Sequence, residues 1–399
     1  MIKRVSLLLI VLLMAFGYLG ALPTVQAAPP TEVLNVFNCG EYISDGSDDC
    51  MDVNAEFEKY YYETYGVKLK VNYSNYDTNE SMYAKLLAGG SCYDVIFPSD
   101  YMAARLIGED MLLPLDMSNI PNYSNVDEQF RGENISFDPE AKYCVPYMWG
   151  AVGIVYNSAE IEVAPTGWKD LWSEKYTGKI LMFNNPRDAF AIAQAVLGYS
   201  YNSTSADEWN AAAEKLKEQK SVLQAYCTDE IFNKMEGGEA HIAPCYVGDF
   251  IVMHENNEDL QFVFPEEGFN KFVDVMCIPN CAQNKTAAER YINFMCSYEA
   301  GLANAEYIGY SSPLSCVMND RDYYYYGNDY IYPDEQILAR GESFNCLDAD
   351  TQRLMDMLWT DVKRTESPMW VKIVLLALLV LSLAIIIRRK ILEHTRKDY

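Results

Sequence analysis

From residue 33 onward, short apolar runs alternate with segments of helical periodicity. Residues 33–37 read as a strand, and 52–65 carry the three- and four-residue apolar spacing of a helix that Gly66 stops. Residues 67–73 alternate like a half-buried strand. Thr78 or Asn79 caps a helix reaching Leu87, which Gly89-Gly90 ends, and 93–97 is a buried strand closed by Pro98. The pattern resumes with strands at 151–156 and 179–183 and helices at 186–197 and 206–219. Strands at 240–243, 260–264 and 272–278 follow, then helices at 286–296 and 298–305. Strands alternating with helices of about 10–15 residues predict an α/β chain of parallel sheets covered by helices on both faces. In such sheets ligands sit beyond the carboxyl ends of the strands. With 399 residues, no internal repeat and no low-complexity linker, two lobes joined by short crossovers are expected.

The two ends are of a different kind. Residues 1–28 run Lys3-Arg4, an apolar stretch to about Leu19, and small residues closing at Ala27-Ala28, the three-part layout of a secretory signal. An uncleaved signal anchor is the alternative, and no Cys follows the apolar run as a lipoprotein would require. Residues 370–387 are apolar except for Lys372 and Ser382, nearly long enough to span a hydrocarbon core of about 30 Å. Arg388, Arg389, Lys390, Arg396 and Lys397 follow, and such a basic tail (388–399) belongs on the cytoplasmic side, which puts the rest of the chain outside. Residues 366–369 form a short spacer, and no Leu-Pro-x-Thr-Gly sortase signal precedes the helix.

Charge narrows the partners. The chain has 31 basic and 57 acidic residues; eight of the basic and two of the acidic lie in the end segments, so the exported part is strongly acidic. Such a surface repels nucleic acid and anionic lipid and attracts cations, though it also serves solubility. All eleven cysteines lie between Cys39 and Cys346. Disulfides are permitted there, and an odd number cannot all pair internally.

The expected strand ends carry polar and aromatic groups: Asn38-Cys-Gly-Glu-Tyr42, Pro98-Ser-Asp-Tyr101, Asn184-Asn-Pro-Arg-Asp188, Cys245-Tyr-Val-Gly-Asp249 and Phe272-Val-Asp274. Together with Tyr73-x-x-Tyr76-x-x-Asn79-Glu-Ser-Met-Tyr-Ala-Lys-Leu86, Tyr93-Asp-Val-x-x-Pro-Ser99, Val145-Pro-Tyr-x-Trp-Gly-Ala151, Leu197-Gly-Tyr-Ser200 and Ile308-Gly-Tyr310, they resemble the spermidine/putrescine-binding proteins of bacterial ABC importers from about residue 34 to 364. The resemblance implies a type II periplasmic binding protein fold, with lobe 1 at 32–148 plus 273–318 and lobe 2 at 149–272 plus 319–364. It further implies a cleft that closes on a polyamine, delivery to permease subunits served by a separate ATPase subunit, and no cofactor. Carried across position by position, the site is Tyr42, Ser99, Tyr101, Asn185, Asp188, Thr228, Tyr246, Phe272, Asp274 and Thr360. Asp188 and Asp274 receive the amines, while Tyr42, Tyr101, Tyr246 and Phe272 wall the methylene chain. This suits a ligand made of ammonium groups and CH2 stretches, which needs charge-assisted acceptors and ring faces. The chain departs from the family pattern at Cys39, Tyr246 and Phe272, where Trp is usual, and at Asn185, usually acidic. One carboxylate fewer favours a diamine such as putrescine over a triamine.

Other classes fit less well. Three scattered histidines (His241, His254, His394) and a lone Cys277-x3-Cys281 make a poor zinc site, while Tyr323 to Tyr326 keeps a ferric-binding variant of the fold open. No Gly-x-Ser-x-Gly elbow, phosphate loop or His-Glu-x-x-His is present, so an enzyme is not expected. A membrane-anchored sensor ectodomain would use the same cleft, but leaves only a dozen residues inside.

Overall fold

A computed structural model describes residues 31–364 and Ser382. The signal (1–28), the apolar helix (370–387) and all of the basic tail lie outside the described residues apart from Ser382. Among the described residues no helix is long and apolar enough to cross a membrane.

Ten strands are described: β1 (Thr31–Cys39), β2 (Lys68–Tyr76), β3 (Val95–Ile96), β4 (Cys144–Asn157), β5 (Ile180–Phe183), β6 (Leu223–Cys227), β7 (Ile242–Tyr246), β8 (Leu260–Val263), β9 (Phe269–Cys277) and β10 (Gly341–Glu342). β1 pairs in parallel with β2, from Thr31 opposite Lys68 to Cys39 opposite Tyr76, and with β3. β5 pairs in parallel with β6 and β7. Joining these groups, β4 and β9 run antiparallel to each other from Cys144 opposite Cys277 to Ala151 opposite Lys271. β9 meets β3 antiparallel at Cys277, and the far half of β4 is antiparallel to β7 and β8. The strand order is therefore β2-β1-β3-β9-β4-β7-β5-β6, two lobes sharing a ribbon of two long strands.

This corrects the expectation of all-parallel sheets. β4 carries the chain out of the first lobe and β9 brings it back, so the two must run in opposite directions where they pair. The predicted strands 151–156 and 272–278 are parts of this ribbon.

Local chemistry accounts for the helix ends. Asp52 caps the helix Val53–Tyr65 by accepting from Ala55 N, and Gly66 (φ 71°) ends it. Thr78 and Ser81 form a reciprocal capping box on the helix Asn79–Ala88, a device that contributes about 1 kcal/mol. Two carboxylates tie loops to the first lobe. Asp94 accepts from Asn35 N, Gln283 N and Asn284 N, and Asp138 from Lys142 N, Tyr143 N and Cys144 N. In the second lobe Trp168 and Trp209 are fully buried, and Trp168 Nε1 donates to Gly268 O at 2.8 Å.

The periodicity missed β6 and the helices Asp100–Gly108, Glu230–Glu236, Val247–Asn256 and Ala349–Lys363. Val247–Asn256 starts directly at the end of β7, and both it and Asp100–Gly108 bury much of their length.

Candidate functional site

The strand ends of both lobes meet around a cavity of about 120 Å³. The first lobe supplies the loop after β1 (Cys39 to Tyr42), the turn after β2 (Tyr76 to Asn79), Phe97, Ser99, Tyr101 and, from β9, Asp274. The second supplies Phe183 at the end of β5 with Asn185 and Asp188 beyond it, Thr228, Asp229, Ile231 and Phe232 after β6, Tyr246 at the end of β7 with Asp249 in the helix that follows, and Asn270 and Phe272 on the shared ribbon.

Asp274 is almost fully buried, and Tyr42 Oη donates to its Oδ2 at 2.6 Å while Oδ1 has no protein partner. Burial pushes its carboxyl up to about 6, against the lowering influence of Ser99 and Tyr42. Ser99 is held by Asn79, which donates to Ser99 Oγ at 3.0 Å and accepts from Ser99 N at 3.1 Å. Tyr42 stands edge-on to Tyr147 and Tyr310, so its hydroxyl has one direction to point.

Asp188 sits in the first turn of the helix Pro186–Val196. Its Oδ2 accepts from Asn185 Nδ2 at 2.6 Å and Tyr246 Oη at 2.8 Å, and its buried Oδ1 is again unpartnered. Burial raises this carboxyl to about 7, with Tyr246 opposing. Asn185 is also the helix cap, accepting from Arg187 N; its amide orients Asp188, as an uncharged donor can. Each main carboxylate thus spends one oxygen on the protein and leaves the other without a hydrogen-bond partner, and a buried unpaired acceptor calls for a donor.

Asp249, half-buried, is a third carboxylate bound by a tyrosine, and the residue-by-residue reading did not single it out. Tyr310 Oη donates to its Oδ1 at 2.9 Å, and burial lifts it to about 7. The Tyr310 ring lies so close over Gly248 that a Cβ there would come within 1.8 Å of it. That contact is the physical content of the Gly248-Asp249 and Gly309-Tyr310 pairs, whose motifs were visible in the sequence. Asp229 is exposed at the rim, and its carboxyl is also raised, by partial desolvation and then by the charges of Glu41 and Asp77.

The lining therefore contains six carboxylates, Glu41, Asp77, Asp188, Asp229, Asp249 and Asp274, and no Lys, Arg or His. Aromatic rings fill the space between them. Tyr246 stacks tilted on Phe183 at 4.8 Å and meets Phe272 edge-on at 5.6 Å, and Tyr101 packs edge-on against Phe344. The site is built for an elongated cation with apolar stretches.

Nine of the ten expected site residues line this cavity. Thr360 does not: it is exposed on the helix Ala349–Lys363, its hydroxyl donating to Asp356 O at 2.9 Å. Cys39 lines the cavity as a free thiol, and Cys50 is free as well. Tyr323 and Tyr325 are buried away from the cavity, Tyr325 donating to Glu255 at 3.0 Å, while Tyr324 and Tyr326 face solvent.

Fold and cavity together define a two-lobed solute-binding protein. Residues 54–323 match the bacterial extracellular solute-binding protein family, and the chain belongs to it. It is 33% identical over 340 residues to the spermidine/putrescine-binding periplasmic protein of Salmonella typhimurium, covering 83% of this chain and 91% of the relative. It is 26% identical to the putrescine-binding periplasmic protein of Escherichia coli, covering 87% and 95%. Among solved structures, the spermidine/putrescine substrate-binding protein of Streptococcus pneumoniae matches with TM-score 0.65 and 32% identity, covering 83% of this chain and 98% of that one. A Listeria monocytogenes transporter chain matches with TM-score 0.75 and 30% identity, covering 83% and 99%.

Proposed function

We propose that the chain is the extracytoplasmic receptor of an ABC importer for polyamines. The observation that carries this reading is the cavity's composition: six carboxylates, three of them with one oxygen committed to a tyrosine and two of these, Asp188 and Asp274, buried, with aromatic walls and no basic side chain. A protonated amine supplies the donor that Asp188 and Asp274 lack, and the methylene chain lies between ring faces that also attract its charge. The relatives' names agree, each being a binding protein for spermidine, putrescine or both.

The mechanism follows from the ribbon. A ligand touching Asp274 in one lobe and Asp188 in the other binds the closed arrangement better and shifts the population towards it. Bending of β4 and β9 permits that motion. The closed receptor then docks on permease subunits whose transport is driven by a separate ATPase. Residues 1–28 direct export and 370–387 tether the receptor beside its permease, raising the effective concentration.

Calorimetric titration of the purified chain with putrescine, spermidine, spermine and agmatine tests the reading. Tight binding of one of them, with a change in tyrosine and tryptophan fluorescence, supports it and names the ligand. Silence towards all four overturns the function and leaves the family intact.

A further inference from the structure

Cys144 and Cys277 face each other as a directly opposed pair on β4 and β9, with their sulfurs 3.3 Å apart and both residues buried. They stand at the first-lobe root of the ribbon, where Cys277 is also paired with Ile96 of β3. The two thiols are separated by 132 intervening residues, which hold most of the second lobe.

We propose that this pair is an oxidation site, and that the mature chain carries a Cys144–Cys277 disulfide clamping the root of the ribbon. Opposed residues on antiparallel strands have Cα atoms about 4.5–5.5 Å apart, inside the range a disulfide spans, so bonding needs only a small rotation of the two side chains. The oxidant is an external disulfide, R–S–S–R, of a small thiol or of a thiol oxidoreductase. One protein thiolate attacks it and expels RS⁻, giving a mixed disulfide; the second protein thiolate then displaces the other RS⁻. Two protein thiols become one protein disulfide, and one R–S–S–R becomes two RSH. The thiols are shielded once the lobe is packed, so the reaction belongs to the stage at which β4 and β9 are pairing.

The bond has a mechanical consequence. It closes a long loop and so restricts the unfolded chain strongly, yet it lies outside the cavity lining. The ribbon's far half, beyond Ala151, stays free to bend with the lobes.

The test is refolding of the full chain in a glutathione redox buffer, alkylation of the remaining thiols, and peptide mapping without reduction. The expected result is a peptide containing Cys144 linked to one containing Cys277, with two of the eleven thiols lost. The oxidised chain should also unfold at a higher denaturant concentration than the reduced one, and that gap should vanish in Cys144→Ala and in Cys277→Ala. Linkage of Cys144 or Cys277 to any other cysteine in place of this pair overturns the proposal. So does recovery of both as free thiols from the well-folded oxidised chain. Should one Ala variant fail to fold, the peptide map of the unaltered chain decides alone.

Discussion

Tyr42 Oη donates to Asp274 Oδ2 at 2.6 Å across 232 residues of sequence, and leaves Asp274 Oδ1 buried with no protein partner. The tyrosine fixes the carboxylate's rotamer and the open oxygen is the feature a ligand ammonium completes. A charge-assisted bond of this kind is worth about 1.5–3 kcal/mol. Asp274→Asn is therefore expected to weaken polyamine binding roughly ten- to hundredfold at 1.4 kcal/mol per decade. Tyr42→Phe should weaken it less, through loss of orientation. Calorimetric affinities for both variants check this, and an unchanged Kd in Asp274→Asn together with Asp188→Asn sinks the site assignment.

Asn185 donates to Asp188 at 2.6 Å. An Asn185→Asp variant keeps the helix cap but puts two carboxyls in contact, and like charges that close do not both ionise freely. The pair should hold a shared proton at neutral pH, so the pH at which ligand affinity is half lost moves upward relative to the parent chain. Affinities measured from pH 5.5 to 9 test this; a profile superimposable on the parent's refutes it.

Ligand affinity and stability should respond to pH in opposite directions. Burial pushes Asp188 and Asp249 up to about 7 and Asp274 up to about 6, well above the unfolded value of about 3.9. Between roughly pH 4 and 7 the folded, ligand-free chain then binds more protons than the unfolded one, so these groups make it less stable as pH rises through that window. An ammonium ligand needs the ionised forms, so its affinity should fall as pH drops below about 7. Thermal melts without ligand and titrations with it, at pH 5.5, 6.5 and 7.5, measure both signs.

Gly248 has no room for a methyl group beneath the Tyr310 ring. Gly248→Ala should cost about 1–3 kcal/mol of stability, the usual range for overpacking, and weaken binding by displacing the tyrosine that orients Asp249. A melting-temperature shift and a Kd for the same variant check it.

Thr360→Ala should leave affinity within about twofold and stability within about 0.5 kcal/mol, as for exposed surface positions. A marked loss of affinity would return Thr360 to the site.

Much of the first lobe was legible. The helices at 53–65 and 79–88 announce themselves by apolar spacing and by Asp52, Thr78 and Gly66 at their ends, because a cap is a contact between neighbours in sequence. The motifs holding Tyr42, Ser99, Asp188 and Asp274 were legible, though Asp274 proved to lie within β9 rather than in a strand-end loop. Thr360 was expected in the site but lies outside the cavity lining, because a helix position alone does not say which way its side chain faces.

What the sequence determined by itself was the alternation of elements, the acidic charge and the residue types needed to bind a cation, all set by local spacing and composition. Only the tertiary structure decided that the sheets are mixed, that Asp249, bound by Tyr310, joins Asp188 and Asp274 around one cavity, and that Cys277 lies against Cys144. Those facts depend on where a strand leaving one lobe meets the strand returning to it, and pairing across more than a hundred residues leaves no mark in the local pattern of either strand.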